Sequence, residues 1–158
     1  MQEHMSKQFD AELESVRSRV LQMGGYVEQQ VAQAMESLID GDMSRIDQVI
    51  DNDHRVNTME VELDETCSQI IAKRQPTAGD LRMLMTTIKT ITDLERIGDE
   101  AQKIARMAKL RHSGNEPSVS SRVELRHGSS LALSMLRGSL DAFARLDVAS
   151  AAQVVKMD

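Results

Sequence analysis

The stretch Ala72-Lys73-Arg74-Gln75-Pro76-Thr77-Ala78-Gly79-Asp80-Leu81-Arg82 divides two long apolar stripes, and its reading decides the fold. Before it, Ile46, Val49, Ile50, Val56, Met59, Leu63, Cys67, Ile70 and Ile71 lie on one helical face. After it, Leu81, Leu84, Ile88, Ile91, Leu94, Ile97, Ala101 and Ile104 do the same. Proline lacks an amide N–H and stops the helix that precedes it, but is tolerated in the first turn of the next. The pattern therefore predicts a helix over about 43–74, a tight turn, and a helix opening with Pro76 near its first turn, with Asp80 as an early carboxylate, and running to about Leu110. Helices joined by so short a turn run antiparallel.

Upstream, Phe9, Leu13, Val16, Val20, Met23, Val27, Val31, Ala34 and Leu38 fall in steps of three and four, which predicts a helix over about 5–40. At 1.5 Å per residue it is roughly 54 Å long, suited to an elongated bundle. Gly24-Gly25 is its weak point, where a bend is expected. Asp40-Gly41-Asp42 places a glycine at the helix end and a carboxylate at the start of the next helix. The fold class is all-α, an antiparallel three-helix bundle over 1–111. A linker is expected over 112–120, followed by a further helix from near Ser121 to about Arg145. Residues 34–53 align with residues 139–158: Asp42 falls on Asp147, Gln48 on Gln153, Val49 on Val154 and Asp53 on Asp158. Residues 121–158 thus read as the start of a second, incomplete copy. Its helix carries an apolar face of Leu125, Leu131, Leu136, Leu140 and Phe143 that the missing partners would cover, so self-association is expected.

Composition agrees with helices. The 158 residues are 41% hydrophobic with 11 Met, 2 Phe, 1 Tyr and no Trp, a core filling that argues against an all-β sandwich. A net charge of −6 without a basic block leaves phosphate-backbone binding nothing to drive it over most of the surface, so nucleic acid is not expected as a partner. One cysteine cannot form an internal disulfide, the N-terminal stretch has no signal-peptide character, and no apolar run approaches the roughly 20 residues that span a bilayer. The chain reads as cytoplasmic, reaching a membrane only through a partner.

Chemistry concentrates on the predicted hairpin. With its turn at Pro76, Asp53 faces Asp99 and Asn57 faces Glu95, and each pair is spaced i, i+4 on one helical face. Glu60 extends the stripe, and His54, a quarter-turn away, points elsewhere. Converging carboxylates repel unless a proton or cation lies between them, and oxygen donors suit Mg, Ca, Mn or iron. The same spacing is also that of a solvated acidic face, and spacing alone leaves both readings open. Glu124-Leu125-Arg126-His127 has the Glu-x-x-His spacing of di-iron bundles but no second copy, so it reads as a solvated helix start. Cys67 lies on the apolar stripe as a buried thiol. No catalytic nucleophile or phosphate loop is visible, so no enzyme activity is expected.

The opening His4-Met5-Ser6-Lys7-Gln8-Phe9-Asp10, Met23-Gly24, the 72–82 stretch and Asp93-Leu94-Glu95-Arg96-Ile97-Gly98-Asp99 together resemble the PhoU family, over essentially the whole chain. That resemblance implies two tandem three-helix bundles and no catalysis. It implies metal binding, iron or zinc among the metals, at paired Glu/Asp-x-x-x-Asp motifs, whose positions here are Asp53, Asn57, Glu95 and Asp99; Asn57 departs from the carboxylate pair. It further implies negative regulation of phosphate uptake and phosphate-starvation signalling, through contact with the phosphate ABC transporter ATPase and a sensor histidine kinase. The rival reading of the residues is a metal-storage or carboxylate-bridged redox bundle.

Overall fold

The computed structural model describes residues 2–114 and 122–158, with side chains described from residue 7. Five helices follow in order: α1 Gln2–Asp40, α2 Met43–Arg74, α3 Ala78–Ser113, α4 Arg122–Arg145 and α5 Val148–Val155. The described residues contain no strand. Helix α1 passes through Gly24-Gly25 without interruption.

The stripes read from the sequence supply the buried faces, except that Leu81 at the start of α3 is exposed. Leu13, Val16, Val20, Met23 and Val27 of α1 pack with Val56, Leu63, Cys67 and Ile70 of α2 and Leu84, Ile91 and Leu94 of α3. Each fully buried aliphatic side chain of this kind contributes about 1.5–3 kcal/mol, which holds long helices together where propensity alone would not. Toward the α1–α2 turn the filling changes to Ala34, Ile46, Val49, Ala101, Ala105 and Ala108. Small side chains there let the three backbones draw together.

Both tight turns have left-handed residues. Gly41, at φ 75°, donates its N–H to the Ser37 carbonyl at 2.9 Å, and Asp42 caps α2 by accepting from the Arg45 N–H at 3.2 Å. At the second turn Gln75, at φ 49°, donates to the Ile71 carbonyl at 3.3 Å and closes α2. This corrects the expected place of Pro76. It lies between the left-handed Gln75 and the N-cap Thr77, outside α3, which starts at Ala78. Thr77 makes no side-chain cap; its hydroxyl donates to Asp80 Oδ2 at 2.7 Å. Helix α3 also runs past Leu110 to take in His112 and Ser113, while residues 115–120 of the expected linker, and Ser121, lie outside the described residues.

Helix α4 corrects a second expectation. Its Leu136, Leu140 and Phe143 are half-buried against the core of the first three helices, so part of the supposedly uncovered face is already covered. Gly24 admits it: a Cβ there would stand 2.4 Å from Leu140 Cδ2. Arg137 of α4 pairs with Glu28 of α1 beside this contact. Leu131 keeps 40% of its surface exposed. Helix α5 folds back on α4, with Val154 over Gly138. The α4–α5 turn repeats the α1–α2 turn: Leu146 at φ 54° precedes Asp147, whose carboxylate accepts from Ala149 and Ser150 N–H at 3.0 and 3.1 Å.

Candidate functional site

A three-helix bundle has three outer grooves, and α4 lies along α1 toward only one of them. The groove between α2 and α3 gathers the carboxylates. Its walls approach closely because Gly98, buried on α3, faces Val56: a Cβ on Gly98 would stand 3.2 Å from Val56 Cγ1. Further along, Gln102 reaches across and donates its Nε2–H to the Ile50 carbonyl at 3.2 Å. These contacts realise the predicted register and bring Asp53 within the field of Asp99.

Asp53 is 7% exposed, and its Oδ1 is buried without a hydrogen-bond partner. Asn57, Glu60, Glu95 and Asp99 are half-buried along the same groove. Burial pushes the Asp53 carboxyl above its ordinary range, the Asp99 charge adds to the rise, and Arg106 and then His54 oppose it. Glu95 is raised in the same way, first by burial and then by Asp99, Glu60 and Asp53, with Arg96 opposing. A buried carboxylate oxygen with no donor is an unfavourable arrangement that protonation or a bound cation relieves.

The donor set is all oxygen, which fits a hard divalent cation. Among the described residues, however, no three His, Cys, Asp or Glu side chains draw together into a ready ligand group. The groove is therefore a set of facing, mutually repelling carboxylates rather than a closed coordination shell.

The remaining sequence candidates sort simply. His54 is exposed and its Nδ1 hydrogen-bonds the Asp51 carbonyl of its own helix, away from the groove. Glu124 and His127 are both exposed on α4. Cys67 is buried, and burial raises its thiol further from the reactive thiolate. Arg106 was missed in the sequence, although it stands two turns beyond Asp99 on the same face of α3. Among the described residues no helix is long and apolar enough to cross a membrane.

The family model described as PhoU domain matches residues 20–108. A phosphate-specific transport system accessory protein PhoU homolog from Burkholderia sp is 46% identical over 156 residues, covering 98% of this chain and 66% of the relative. The phosphate-specific transport system accessory protein PhoU of Escherichia coli (strain K12) is 47% identical over 160 residues, covering 100% of this chain and 65% of the relative. The crystal structure of PhoU from Pseudomonas aeruginosa superposes with a TM-score of 0.89 at 47% identity, over 94% of this chain and 70% of that one. This chain thus spans just under two thirds of the length of the two curated relatives.

Proposed function

The chain belongs to the PhoU family, and from that premise we propose that it serves the phosphate transport system as a negative regulator of uptake and of phosphate-starvation signalling. The observation that carries this reading is the match of nearly the whole chain to proteins named as accessory to phosphate-specific transport. Those names favour a regulatory role over the metal-storage or redox reading. In this role it is a cytoplasmic adaptor between the phosphate ABC transporter ATPase and a sensor histidine kinase, and it is not an enzyme. The long exposed helix faces offer it docking area, and the apolar residues left exposed on α4 and α5, Leu131 and Val155 among them, favour self-association.

The α2/α3 groove is the accompanying metal patch. Asp53, Glu95 and Asp99, with the Asn57 carbonyl as a neutral donor, would offer oxygen ligands to a divalent cation, iron among those such donors suit, while zinc rests on the family resemblance alone; the unpartnered Asp53 Oδ1 supports a cation here. The cation would neutralise the groove and stiffen the α2–α3 contact.

Replacement of the chromosomal gene tests both parts together. Deletion is expected to switch on a phosphate-starvation reporter in phosphate-rich medium, and the wild-type gene to silence it. A Glu95→Ala, Asp99→Ala variant is expected to be recovered with less bound metal. Unchanged reporter output after deletion overturns the regulatory role, and unchanged metal content in the double variant overturns the patch.

A further inference from the structure

The third groove, between α1 and α2, has a chemistry separate from that of the carboxylate patch. A cavity of about 270 Å³ opens there, lined by Tyr26, Gln29 and Gln33 of α1 and Gln48, Asn52 and Arg55 of α2. The α2 residues follow one another at i, i+4 and i+7 and the α1 residues at i, i+3 and i+7, so each set forms a single stripe facing the other. Gln30, at the base, is buried and donates its Nε2–H to the Val49 carbonyl at 3.3 Å, tying the two walls together. In a chain of net charge −6, no acidic residue among those described lines this cavity.

Arg55 is the distinctive group. Its guanidinium carbon stands 4.6 Å from the centre of the Tyr26 ring. Among the described residues it has no carboxylate partner, as is also true of Arg82, Arg106, Arg111, Arg122 and Arg126, but of these Arg55 is the one placed over an aromatic ring. Asp51, one turn back on the same helix, is exposed and forms no pair with it. The Arg55 side chain donates no hydrogen bond among the described residues, so the N–H edges of its guanidinium remain available in the fork geometry that matches a carboxylate. The ring also holds the side chain in place, so less freedom is lost when that fork engages an anion.

We propose that the α1/α2 groove is a carboxylate-binding site, with Arg55 taking the carboxylate on its free edge and Gln29, Gln33, Gln48 and Asn52 hydrogen-bonding the polar groups attached to it. Side-chain amides carry both donors and acceptors, so they suit a ligand with peptide or hydroxyl groups next to its charge. One cation balances one negative charge; a phosphate dianion would be left half-neutralised in an already acidic protein. The carboxylate comes either from a free organic acid or from an Asp or Glu side chain of a partner polypeptide.

Titrations followed through the side-chain N–H signals of Gln29, Gln33, Gln48, Asn52 and Arg55 decide the matter. The probes are acetate, the capped tripeptide Ala-Glu-Ala and inorganic phosphate, at constant ionic strength. Saturable shifts confined to this groove are expected with both carboxylates in the millimolar range, and Arg55→Gln is expected to weaken them by about tenfold, the scale of a lost charge-assisted hydrogen bond. Arg55 is exposed, so signals from the core should stay in place in the variant and certify its fold. Tighter binding of the tripeptide than of acetate assigns the source to a partner chain; equal binding assigns it to a free acid. Absence of saturable shifts, undiminished binding to Arg55→Gln, or phosphate binding as tightly as either carboxylate overturns the proposal.

Discussion

Two grooves share α3. On the side toward α1, α4 lies against α1 and sends Phe143 over Met83, Leu84 and Thr87 of α3, leaving between the helices an apolar cleft of about 620 Å³ bordered by Val31, Leu94, Ile97, Leu136 and Leu140. On the side toward α2, Asp53, Asn57, Glu95 and Asp99 face one another, and none of the described helices lies over them. Apolar rows gain free energy from any helix that covers them, whereas covering a row of carboxylates removes their water and costs several kcal/mol per ion unless a partner charge comes with the cover. The bundle therefore uses one flank to attach the next part of the chain and keeps the other open at the expense of unrelieved repulsion.

If that division is right, the covered flank should respond most strongly to loss of packing. Leu140 is half-buried in the core cluster and fills the notch at Gly24. Leu140→Ala is expected to destabilise by about 2 kcal/mol, the low end for removing a buried leucine side chain. Hydrogen exchange over 122–145 should accelerate well before exchange in α2, because α4 makes its contacts with α1 and α5 and none with α2 or α3 of comparable extent. Equal acceleration in α2 and α4 would mean that α4 is part of the bundle core and not an attachment to it.

The difference between the flanks also separates what could be read from the sequence from what could not. Met43–Arg74 is bounded as predicted because its limits are local: an Asp cap at one end, and at the other a residue that can turn left-handed before a proline. The facing of Asp53 and Asp99 was legible because a turn this short fixes the register of a long hairpin. Pro76 was misplaced because proline is acceptable both just inside and just outside a helix start, and the Gln75 backbone decides between them. In the sequence Gly24-Gly25 reads as a place for a bend, yet Gly24 is where α4 enters, a role visible only once a second helix is in place. The depth of Asp53, by contrast, is legible in the spacing: it stands four residues after Val49 and three before Val56, in the alternating step of the buried α2 stripe, and its polar neighbours in Asp51-Asn52-Asp53-His54-Arg55 mask it.

A smaller effect of opposite sign is expected on the open flank. In metal-free protein near neutral pH, Asp53→Asn should raise stability by about 1 kcal/mol, since it removes a buried charge that lacks a hydrogen-bond partner on one oxygen. The direction with pH follows from the raised carboxyl of the folded state. Its favourable contribution is fully present below the unfolded-state value and is lost as pH rises through the folded-state value. The variant's advantage should therefore shrink as the solution is acidified into the carboxyl range. Glu12, lowered mainly by its hydrogen bond from Arg74, runs the other way in both proteins and cancels in the comparison. Thermal unfolding of both proteins with a chelator across that range checks the sign, and an unchanged or lowered midpoint at neutral pH would show that Asp53 is better satisfied than its orphaned oxygen indicates.

The smallest effect is expected at the glycine of the open flank. Alanine is favoured over glycine in a helix interior by about 1 kcal/mol. At Gly98 that gain meets a cost, because the new methyl would stand 3.2 Å from Val56 Cγ1, a β-branched side chain with no exposed surface and little freedom to move aside. The two terms nearly offset, so Gly98→Ala should change stability by less than about 0.5 kcal/mol in metal-free protein. The Gly24 contact is tighter, at 2.4, 2.8 and 3.1 Å from three atoms of Leu140, but those atoms belong to a half-buried leucine on a helix that can lift away. Helices α2 and α3 are joined by a short turn and share a core along their length, so they have no such release. Should Gly98→Ala instead cost 2 kcal/mol or more in denaturant unfolding, the α2/α3 contact would be the stiffer of the two. The carboxylates would then be held together by packing strong enough to oppose their repulsion.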